Sequence, residues 1–281
     1  MRTYVITGGT DGIGKGLGLH WLGRGDRVIA VASGEAKGRA FLADAAGIGA
    51  ADRATFLRAD LSTVAGMRRV VEEVGATVDA VDGLVFGAQH FQSRRVETRD
   101  GLEHIFALGY LSRFVIGHGL VDVMERADRP VVMNVAGPGG LPGRIHWDDL
   151  QLHRKYGGHR ASMQVSRCID LLGVDFPVRH PRARTRYVLY NPMFVSTGLA
   201  DPLPQPWRAV MKALAPLFAM PVAKAIVPIA RLVDDAPEAP VSAFRRQQRL
   251  PLTGEDFDPA AADRLHAVTT DLLARIDAHA R

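Results

Sequence analysis

Short apolar runs alternate with helical patterns along most of the chain. Each run lacks the polar alternation of a half-exposed strand, so it predicts a parallel strand buried on both faces. The predicted strands are Tyr4–Thr7, Val28–Ala32, Thr55–Leu57, Gly83–Phe86, Val131–Val135 and Tyr187–Tyr190. Between them, apolar residues recur at helical spacing, as at Ile13, Leu17 and Trp21. This alternation predicts right-handed βαβ units in a doubly wound parallel sheet of six or seven strands, with a helical layer on either face.

The chain shows no internal repeat and no low-complexity linker, so we expect one α/β domain over residues 1–281. Prolines cluster after residue 191, which indicates a loop region facing the substrate. The segment from about 199 to 235 is either an apolar lid over the substrate or an ordinary amphipathic surface helix. Its large apolar side chains include Trp207, Met211, Leu214, Phe218 and Met220.

Composition narrows the class of protein. Apolar residues are 47% and charged residues 23%, as in ordinary soluble proteins. The net charge of +5 suits an anionic cofactor, but the arginines are scattered, and the densest cluster, 179–186, is broken by Pro181. We therefore expect no nucleic-acid partner. No metal site is expected either.

Several features favour a cytoplasmic protein. Cys168 is the single cysteine, which excludes a disulfide within the chain and suits a reducing compartment. Residues 1–3 lead straight into the first strand, which leaves no room for a signal peptide. The most apolar late stretch, 213–223, is too short to span a bilayer; it is better explained by short helices over a pocket than by membrane contact.

A glycine-rich turn, Thr7–Gly14, follows the first strand and opens the first helix. Gly8 permits a tight turn, Gly12 lets backbone N–H groups approach phosphate, and Gly14 lets the helix pack close to the sheet. The helix N-terminus adds a positive dipole. In this strand–turn–helix context the pattern predicts a pyrophosphate site for a nicotinamide dinucleotide in a Rossmann-type domain. Thr10 and Ile13 complete the turn.

The neighbouring strand ends supply candidates for the adenosine half of the cofactor. Asp60, followed by Leu61, can accept the adenine amino group, although an Asp before Ser62 also suits a helix N-terminus. The second strand ends without the acid that NAD-selective sites place against the ribose 2′-hydroxyl. Ser33, with Lys37 or Arg39, could hold a 2′-phosphate instead. We therefore favour NADP(H) over NAD(H), although Glu35 lies close by.

These motifs resemble the short-chain dehydrogenase/reductase family over residues 3 to about 200. Thr7–Gly14 matches its glycine turn and Asp60-Leu61 its adenine-binding pair. The strand end 83–89 lies where the family has Asn-Asn-Ala-Gly and keeps Ala88. The segment 192–197 is similar to its Pro-Gly-x-x-x-Thr, in which Thr197 would meet the nicotinamide carboxamide. The block Gly143–Gln151 resembles retinol-dehydrogenase-like members.

The resemblance also implies a catalytic Ser, Tyr and Lys, often with an Asn, and the sequence departs from all four. Gly109 stands at the Asn position and Gly137 at the Ser position. A degenerate Tyr-x-x-x-Lys match, Tyr156 to Arg160, leaves 32 residues before Pro192 (192 − 160), which is long for the family. Counting from Arg167 leaves 25 (192 − 167). The Gly143–Gln151 block agrees, so Met163 replaces the Tyr and Arg167 the Lys.

These losses remove ordinary carbonyl chemistry, since Met donates no proton and Gly has no side-chain donor. Arg167 can hold ribose hydroxyls but cannot relay protons. Our candidate catalytic residues are therefore Tyr156, Ser162 and Arg167. Other candidate donors are His146, His90, Gln89, Asn134 and the backbone N–H groups of Gly137–Gly140. For His146 and Tyr156 an ordinary loop role is the competing interpretation, for Ser162 a helix-face role, and for Asn134 a strand-end hydrogen bond.

Three functions stay open at this point. The first is an atypical NAD(P)(H)-dependent oxidoreductase acting on a small, largely apolar molecule, a class that includes polyketide-like compounds, for example at an activated C=C bond. The second is a non-redox cyclase, isomerase or lyase on the same fold. The third is a silent NADPH-binding regulatory protein. The family resemblance further implies a homodimer or homotetramer, whose interface the helices predicted at Leu102–Met124 and Ser162–Leu172 would supply.

Overall fold

One mixed sheet organises the protein, which the computed structural model describes over residues 1–139, 142–193 and 220–279. The strand order is β3-β2-β1-β4-β5-β6-β7-β8. Strands β1 to β7 are parallel, and β8 pairs antiparallel with β7. Their bounds are β1 Thr3–Thr7, β2 Arg27–Ala32, β3 Ala54–Arg58, β4 Gly83–Phe86, β5 Val131–Val135, β6 Arg186–Asn191, β7 Val241–Arg245 and β8 Gln248–Leu250. The predicted Rossmann-type α/β fold is confirmed, but the described sheet has eight strands instead of the six or seven that we expected, and its edge strand β8 is antiparallel.

Helices cover both faces of this sheet and give the predicted three layers. On one face, α1, α2 and α8 pack on the sheet and form a core with it, to which β1 contributes Tyr4, α1 contributes Trp21 and α8 contributes Ile229. On the other, the remaining helices enclose a larger core that includes Phe86, Phe106 and Leu189. The helices are α1 Gly12–Gly23, α2 Glu35–Gly47, α3 Val64–Thr77, α4 His104–Phe106, α5 Ser112–Gly119, α6 Val121–Met124, α7 Gly158–Arg179, α8 Val222–Asp234 and α9 Pro259–His279.

The helix predicted at Leu102–Met124 is interrupted in the structure. A π-helical turn, Ala107–Leu111, separates α4 from α5, and α6 follows after Leu120. Such a turn widens the helix by one residue and is often found at functional sites. It carries Gly109, the residue that the resemblance aligns with the family's Asn. None of the described helices is both long and apolar enough to cross a bilayer.

The C-terminal helix α9 packs on α7 and on the π-helical turn. Its Leu265 and Thr269 are 1% exposed, and the Thr269 hydroxyl lies 2.8 Å from the hydroxyl of Tyr110. The helix α9 therefore covers part of the surface of Leu102–Met124 and Ser162–Leu172, the two segments from which we expected a subunit interface. Because the chain's own helix occupies part of it, a partner subunit would have to contact the remainder of these helices or α9 itself.

Candidate functional site

The glycine turn between β1 and α1 is built as the sequence predicts. Gly8 and Gly12 have φ values of +69° and +49°, a left-handed conformation that favours glycine. A Cβ atom on Gly14 would lie 2.3 Å from the carbonyl oxygen of Gly8. The Asp11 carboxylate caps α1 by accepting the Gly12 amide at 2.8 Å. The turn is therefore a close-packed backbone cradle at a helix N-terminus, which fits a dinucleotide pyrophosphate.

The cradle opens at the point where the strand order reverses. Strands β2 and β4 flank β1 on opposite sides, and such a switch point forms the ligand crevice of doubly wound sheets. Thr10 is 7% exposed and Ile13 half-buried within the turn. Ala88 lies beside Gly8, since a Cβ on Gly8 would meet the Ala88 amide nitrogen at 2.9 Å. The structure thus brings the β4 end to the turn, as the resemblance implied.

The adenosine candidates lie along the ends of β2 and β3. The Asp60 Oδ1 atom accepts the Ser62 amide at 3.0 Å and the Ser62 hydroxyl at 2.7 Å, so it closes a turn just before α3, whose N-cap is Thr63. The carboxylate is nevertheless exposed and has a second oxygen for an adenine amino group. Leu61 is buried and packs in the core, so it would meet the cofactor through its backbone.

Basic side chains surround the exposed Ser33. Lys37 forms an ion pair with Asp11 of the glycine turn. Sequence reasoning missed Arg58, whose Nε donates to the Ser33 carbonyl oxygen at 3.3 Å and whose Nη1 lies 3.0 Å from Glu35. These pairs are exposed, and exposed pairs are worth at most about 1 kcal/mol. An incoming phosphate could therefore recruit these cations at little cost.

The positions that would carry the catalytic group lie on three elements around the β5 end. Gly109 is in the π-helical turn, Gly137 follows β5, and Met163 and Arg167 are on α7. The Ser166 hydroxyl donates to the Gly137 carbonyl oxygen at 2.9 Å, so α7 is fastened to this loop. A Cβ on Gly109 would lie 2.7 Å from Val165 Cγ1. With Val165 on α7, there is therefore no room for an Asn side chain at position 109.

Arg167 is directed at carboxylates in the described structure. The side chain is only 6% exposed, and its Nη1 lies 2.8 Å from Asp170 Oδ2 and 2.7 Å from Asp256 Oδ1. Asp256 belongs to a 3-10 turn, Glu255–Phe257, that precedes α9. Asp170 Oδ2 also accepts the Gly139 amide at 3.2 Å. The predicted ribose-holding role of Arg167 thus competes with a buried ion-pair network.

Burial controls the protonation of this network. Desolvation raises the pKa of Asp170 to about 7, against the opposing effects of the Gly139 amide and the Arg167 guanidinium. Asp256 adds to the rise through like charge. The network therefore holds a carboxyl group that can titrate near neutral pH, next to the loop that carries Gly137.

Tyr156 is fixed to the loop after β4. Its hydroxyl donates to the Gln92 carbonyl oxygen at 2.9 Å and lies 3.4 Å from Glu103 Oε1. Burial, and then the charge of Glu103, raise the pKa of Tyr156 to about 12. Glu103 itself is buried and caps α4 through the amides of Ile105 and Phe106. These contacts suit the loop role that we weighed for Tyr156 more than an acid–base role.

The other candidates are spread around the cleft. Ser162 is half-buried in α7 next to Met163, Gln89 and His90 are exposed, and Asn134 is fully buried within β5. Thr197, the expected lid (Leu199–Leu232) and Gly140 lie wholly or partly outside the described residues. The structure therefore brings Ser162, but not Tyr156, to the same helix as Met163 and Arg167.

A cavity of about 480 Å³ lies beside Met163. Its lining is strongly basic and comprises Pro142, Gly143, Arg144, His146, His159, Arg160 and Met163. Arg160 Nε donates to His146 Nε2 at 2.9 Å. Burial, followed by the charges of Arg160 and Arg144, lowers the pKa of His146, so its imidazole is neutral at pH 7. The cavity can offer N–H donors to a negatively charged oxygen next to Met163, the residue that we aligned with the family's Tyr.

A family model described as short chain dehydrogenase matches residues 2–148, which include the glycine turn and the ends of β1 to β5. The chain belongs to the short-chain dehydrogenase family. The match ends just before the Gly143–Gln151 block does, so it covers Gly109 and Gly137 but not Met163 or Arg167.

Two curated relatives indicate the branch of this family. Human polyprenol dehydrogenase is 28% identical over 174 residues, which cover 60% of this chain and 53% of that protein. Mouse retinol dehydrogenase 13 is 27% identical over 171 residues, which cover 61% and 51%. The chain therefore matches about half of the length of these relatives, and the resemblance to retinol-dehydrogenase-like members is confirmed.

A solved structure agrees with the fold of this dehydrogenase-family chain. An uncharacterised protein from Mycobacterium paratuberculosis superposes with a TM-score of 0.72 at 20% identity, covering 97% of this chain and 93% of that chain. At this identity the likeness concerns the fold alone, and function has to be argued from the site.

Proposed function

We propose that this protein is an NADP(H)-dependent oxidoreductase that reduces a small, largely apolar conjugated carbonyl compound. The observation that carries the proposal is the basic cavity beside Met163, which places the donors of Arg160 and the imidazole of His146 next to the position of the family's Tyr. The cofactor half rests on the close-packed glycine cradle and on the basic side chains around Ser33.

The residues of the cradle fit the cofactor. Gly8, Gly12 and Gly14 would hold the pyrophosphate, Asp60 the adenine, and Lys37 with Arg58 a 2′-phosphate. When bound there, NADPH supplies a hydride, which an enone accepts at its β-carbon. This choice of substrate follows from the missing general acid: in a simple ketone the developing alkoxide needs a proton at once, whereas in an enone conjugation spreads the charge over an enolate.

The role of the chain's own residues is then to stabilise the negative charge on the enolate oxygen. A guanidinium donates hydrogen bonds but does not give up a proton in proteins, so Arg160 can stabilise the enolate oxygen but cannot protonate it. The neutral His146 imidazole stays beside Arg160 and limits where that side chain can point. A proton from solvent in the open cavity completes the α-carbon. Preorganised donors of this kind act where charge develops, and removing one typically costs roughly 100- to 1000-fold in rate.

The test combines a cofactor titration with a substrate panel. We expect saturable NADPH binding, then NADPH oxidation in step with formation of the saturated ketone when enones, including polyketide-like ones, are added. The Arg160→Gln variant should lose most of kcat/KM while binding NADPH normally. Lys155→Gln is the matched control, because Lys155 is an exposed cation five residues before Arg160, in the segment that precedes α7, and it does not line the cavity.

A second candidate is an NADPH-binding protein without turnover. It is favoured by the buried pairing of Arg167 with Asp170 and Asp256, which ties up the residue at the Lys position. Tight NADPH binding with no oxidation across the whole panel would select it. Conversion of a substrate without NADPH oxidation would instead select a non-redox enzyme. Failure of both NADPH and NADH to bind would refute the cofactor assignment itself.

A further inference from the structure

Four side chains meet away from the cofactor cleft, at the C-terminal ends of α5 and α7 and in the middle of α9. His118 ends α5, Asp175 and His180 lie at the end of α7, and His266 projects from α9. The His266 Nδ1 atom lies 2.7 Å from Asp175 Oδ2, and His118 Nε2 lies 3.8 Å from the same oxygen. We call this group the histidine cluster. The sequence predicted no metal here, because the members come from three distant segments.

His118 presents an unused nitrogen to the carboxylate. Its Nδ1 atom lies 2.8 Å from His180 Nε2, so one of these two nitrogens carries the proton that they share. When His118 Nδ1–H is the donor, the Nε2 lone pair points toward Asp175. That Nε2 atom is buried and has no hydrogen-bond partner among the described residues. A lone pair facing a carboxylate oxygen at 3.8 Å is repulsive unless a cation lies between them.

We propose that His118, Asp175 and His266 form a binding site for a divalent transition-metal ion, with Zn²⁺ as the best fit. One ligand atom from each residue lies within 4.8 Å of the others. Zinc takes His nitrogens and carboxylate oxygens at about 2.0–2.2 Å, so its ligand atoms are about 3.5 Å apart in a tetrahedral site. Around such an ion the Asp175–His266 pair, now 2.7 Å apart, would open by about 0.8 Å, and the Asp175–His118 pair, now 3.8 Å apart, would close by about 0.3 Å. Two imidazoles and one carboxylate suit Zn²⁺ better than the oxygen-seeking Mg²⁺ or Ca²⁺.

The surroundings of the cluster fit a metal site. Metal-bound histidines usually donate their second ring N–H to an acceptor, and His180 Nε2 is placed to accept from His118. Arg179 Nε holds the other carboxylate oxygen, Asp175 Oδ1, at 2.8 Å, which leaves Oδ2 directed at the histidines. Asp175 is 4% exposed, and the ring of Phe114 stacks edge-on against His118 at 4.6 Å. This shell orients the ligands and limits competing water.

The ion would connect three helices, of which α7 and α9 are already joined by an ion pair between Arg179 and Asp263. His118 and Asp175 fix the ends of α5 and α7, and His266 adds α9. Because metal binding to the folded state alone stabilises that state, the ion should raise the melting temperature and hold α9 on α7.

Tag-free protein, stripped with EDTA and desalted, provides the test. Zn²⁺ titrated by calorimetry should bind at one site per chain and raise the melting temperature, and Co²⁺ should give a visible d–d spectrum typical of mixed nitrogen and oxygen ligands. His118→Gln and His266→Gln should each weaken Zn²⁺ binding by about 10-fold or more. His279→Gln is the matched control, because His279 is exposed near the end of the same helix α9.

Circular dichroism separates a lost ligand from a lost fold in the variants. Loss of binding in a variant with wild-type far-UV signal supports the site, and if one Gln variant unfolds, the other decides. Two results would overturn the proposal: no saturable Zn²⁺ binding below about 100 μM, far weaker than structural zinc sites, or equal affinity in the wild type and both Gln variants. NADPH binding should be unchanged in all of them, since the cluster lies outside the cleft.

Discussion

Replacing Gly14 with Ala tests the cofactor cradle at its tightest contact. The new Cβ would lie 2.3 Å from the Gly8 carbonyl oxygen and 2.9 Å from the Gly8 carbonyl carbon. Both are backbone atoms, so the turn itself must shift. Overpacking of this kind costs about 1–3 kcal/mol, whereas Ala gains at most about 1 kcal/mol over Gly from helix propensity. If the strain falls on the binding-competent turn, NADPH affinity drops about 10- to 100-fold, since about 1.4 kcal/mol is a factor of ten.

The matched control is Gly23→Ala, at the other end of the same helix. A Cβ on Gly23 meets nothing within 4 Å, so this variant should bind NADPH as the wild type does and melt slightly higher. Affinity is measured by NADPH fluorescence titration and the fold by circular dichroism. Wild-type affinity in a folded Gly14→Ala protein would refute the placement of the pyrophosphate on this turn. An equal loss in Gly23→Ala would show that the effect comes from the helix as a whole.

Three further predictions concern the folded state. Because burial raises the pKa of Asp170 to about 7, the folded protein binds one more proton than the unfolded chain between about pH 4 and 7. As pH rises from 5 to 8, the stability of the wild type should therefore fall relative to that of Asp170→Asn. A difference in melting temperature that does not change with pH would contradict this. Trp21 is fully buried and stacks on Tyr4 at a ring-centroid distance of 4.0 Å. Trp21→Ala should therefore lower the free energy of unfolding, measured with urea, by about 3–5 kcal/mol. A decrease below about 1 kcal/mol would show that the core repacks to fill the space that the indole leaves. Cys168 is fully buried, and burial raises the pKa of its thiol. A thiol reagent should therefore modify it only as fast as the protein unfolds. Rapid labelling of the native protein would be inconsistent with the structure.

The first six strands could be predicted because each is an apolar run within a βαβ repeat. Strands β4 and β5 have the predicted bounds, and the other four differ by one residue at one or both ends. Strand β7 was missed because it contains a polar residue, Ser242, that is 1% exposed, so its sequence has no continuous apolar run. Strand β8 follows through a turn at Arg246, whose φ is +54°. Hairpin turns with positive φ usually contain Gly, Asn or Asp, and that signal is absent here.

The geometry of the glycine turn and of the neighbouring strand ends could be predicted because these residues follow one another along the chain, whereas their contacts with a cofactor stay a prediction. The glycine turn and the strand ends lie at fixed spacings from buried strands, so a local pattern places them. The partners of Arg167 could not be found in this way. Asp256 reaches it from the 3-10 turn before α9, after the strands β6 to β8 have intervened. The histidine cluster escaped for the same reason, since spacing carries no information about contacts between distant helices.

The departures from the family's catalytic group belong together in the structure. The absence of a side chain at Gly109 is matched by Val165, whose methyl group fills the space that a Cβ would need. The charge of Arg167 is matched by Asp170 and Asp256, and a Lys directed at a ribose would give up the contact with the buried Asp170 carboxylate. Reversing one position alone would thus create a clash or an uncompensated buried charge. The glycine cradle keeps its close-packed geometry beside this region, so the substrate panel and the Arg160→Gln variant separate the proposed turnover at the basic cavity beside Met163 from cofactor binding without turnover.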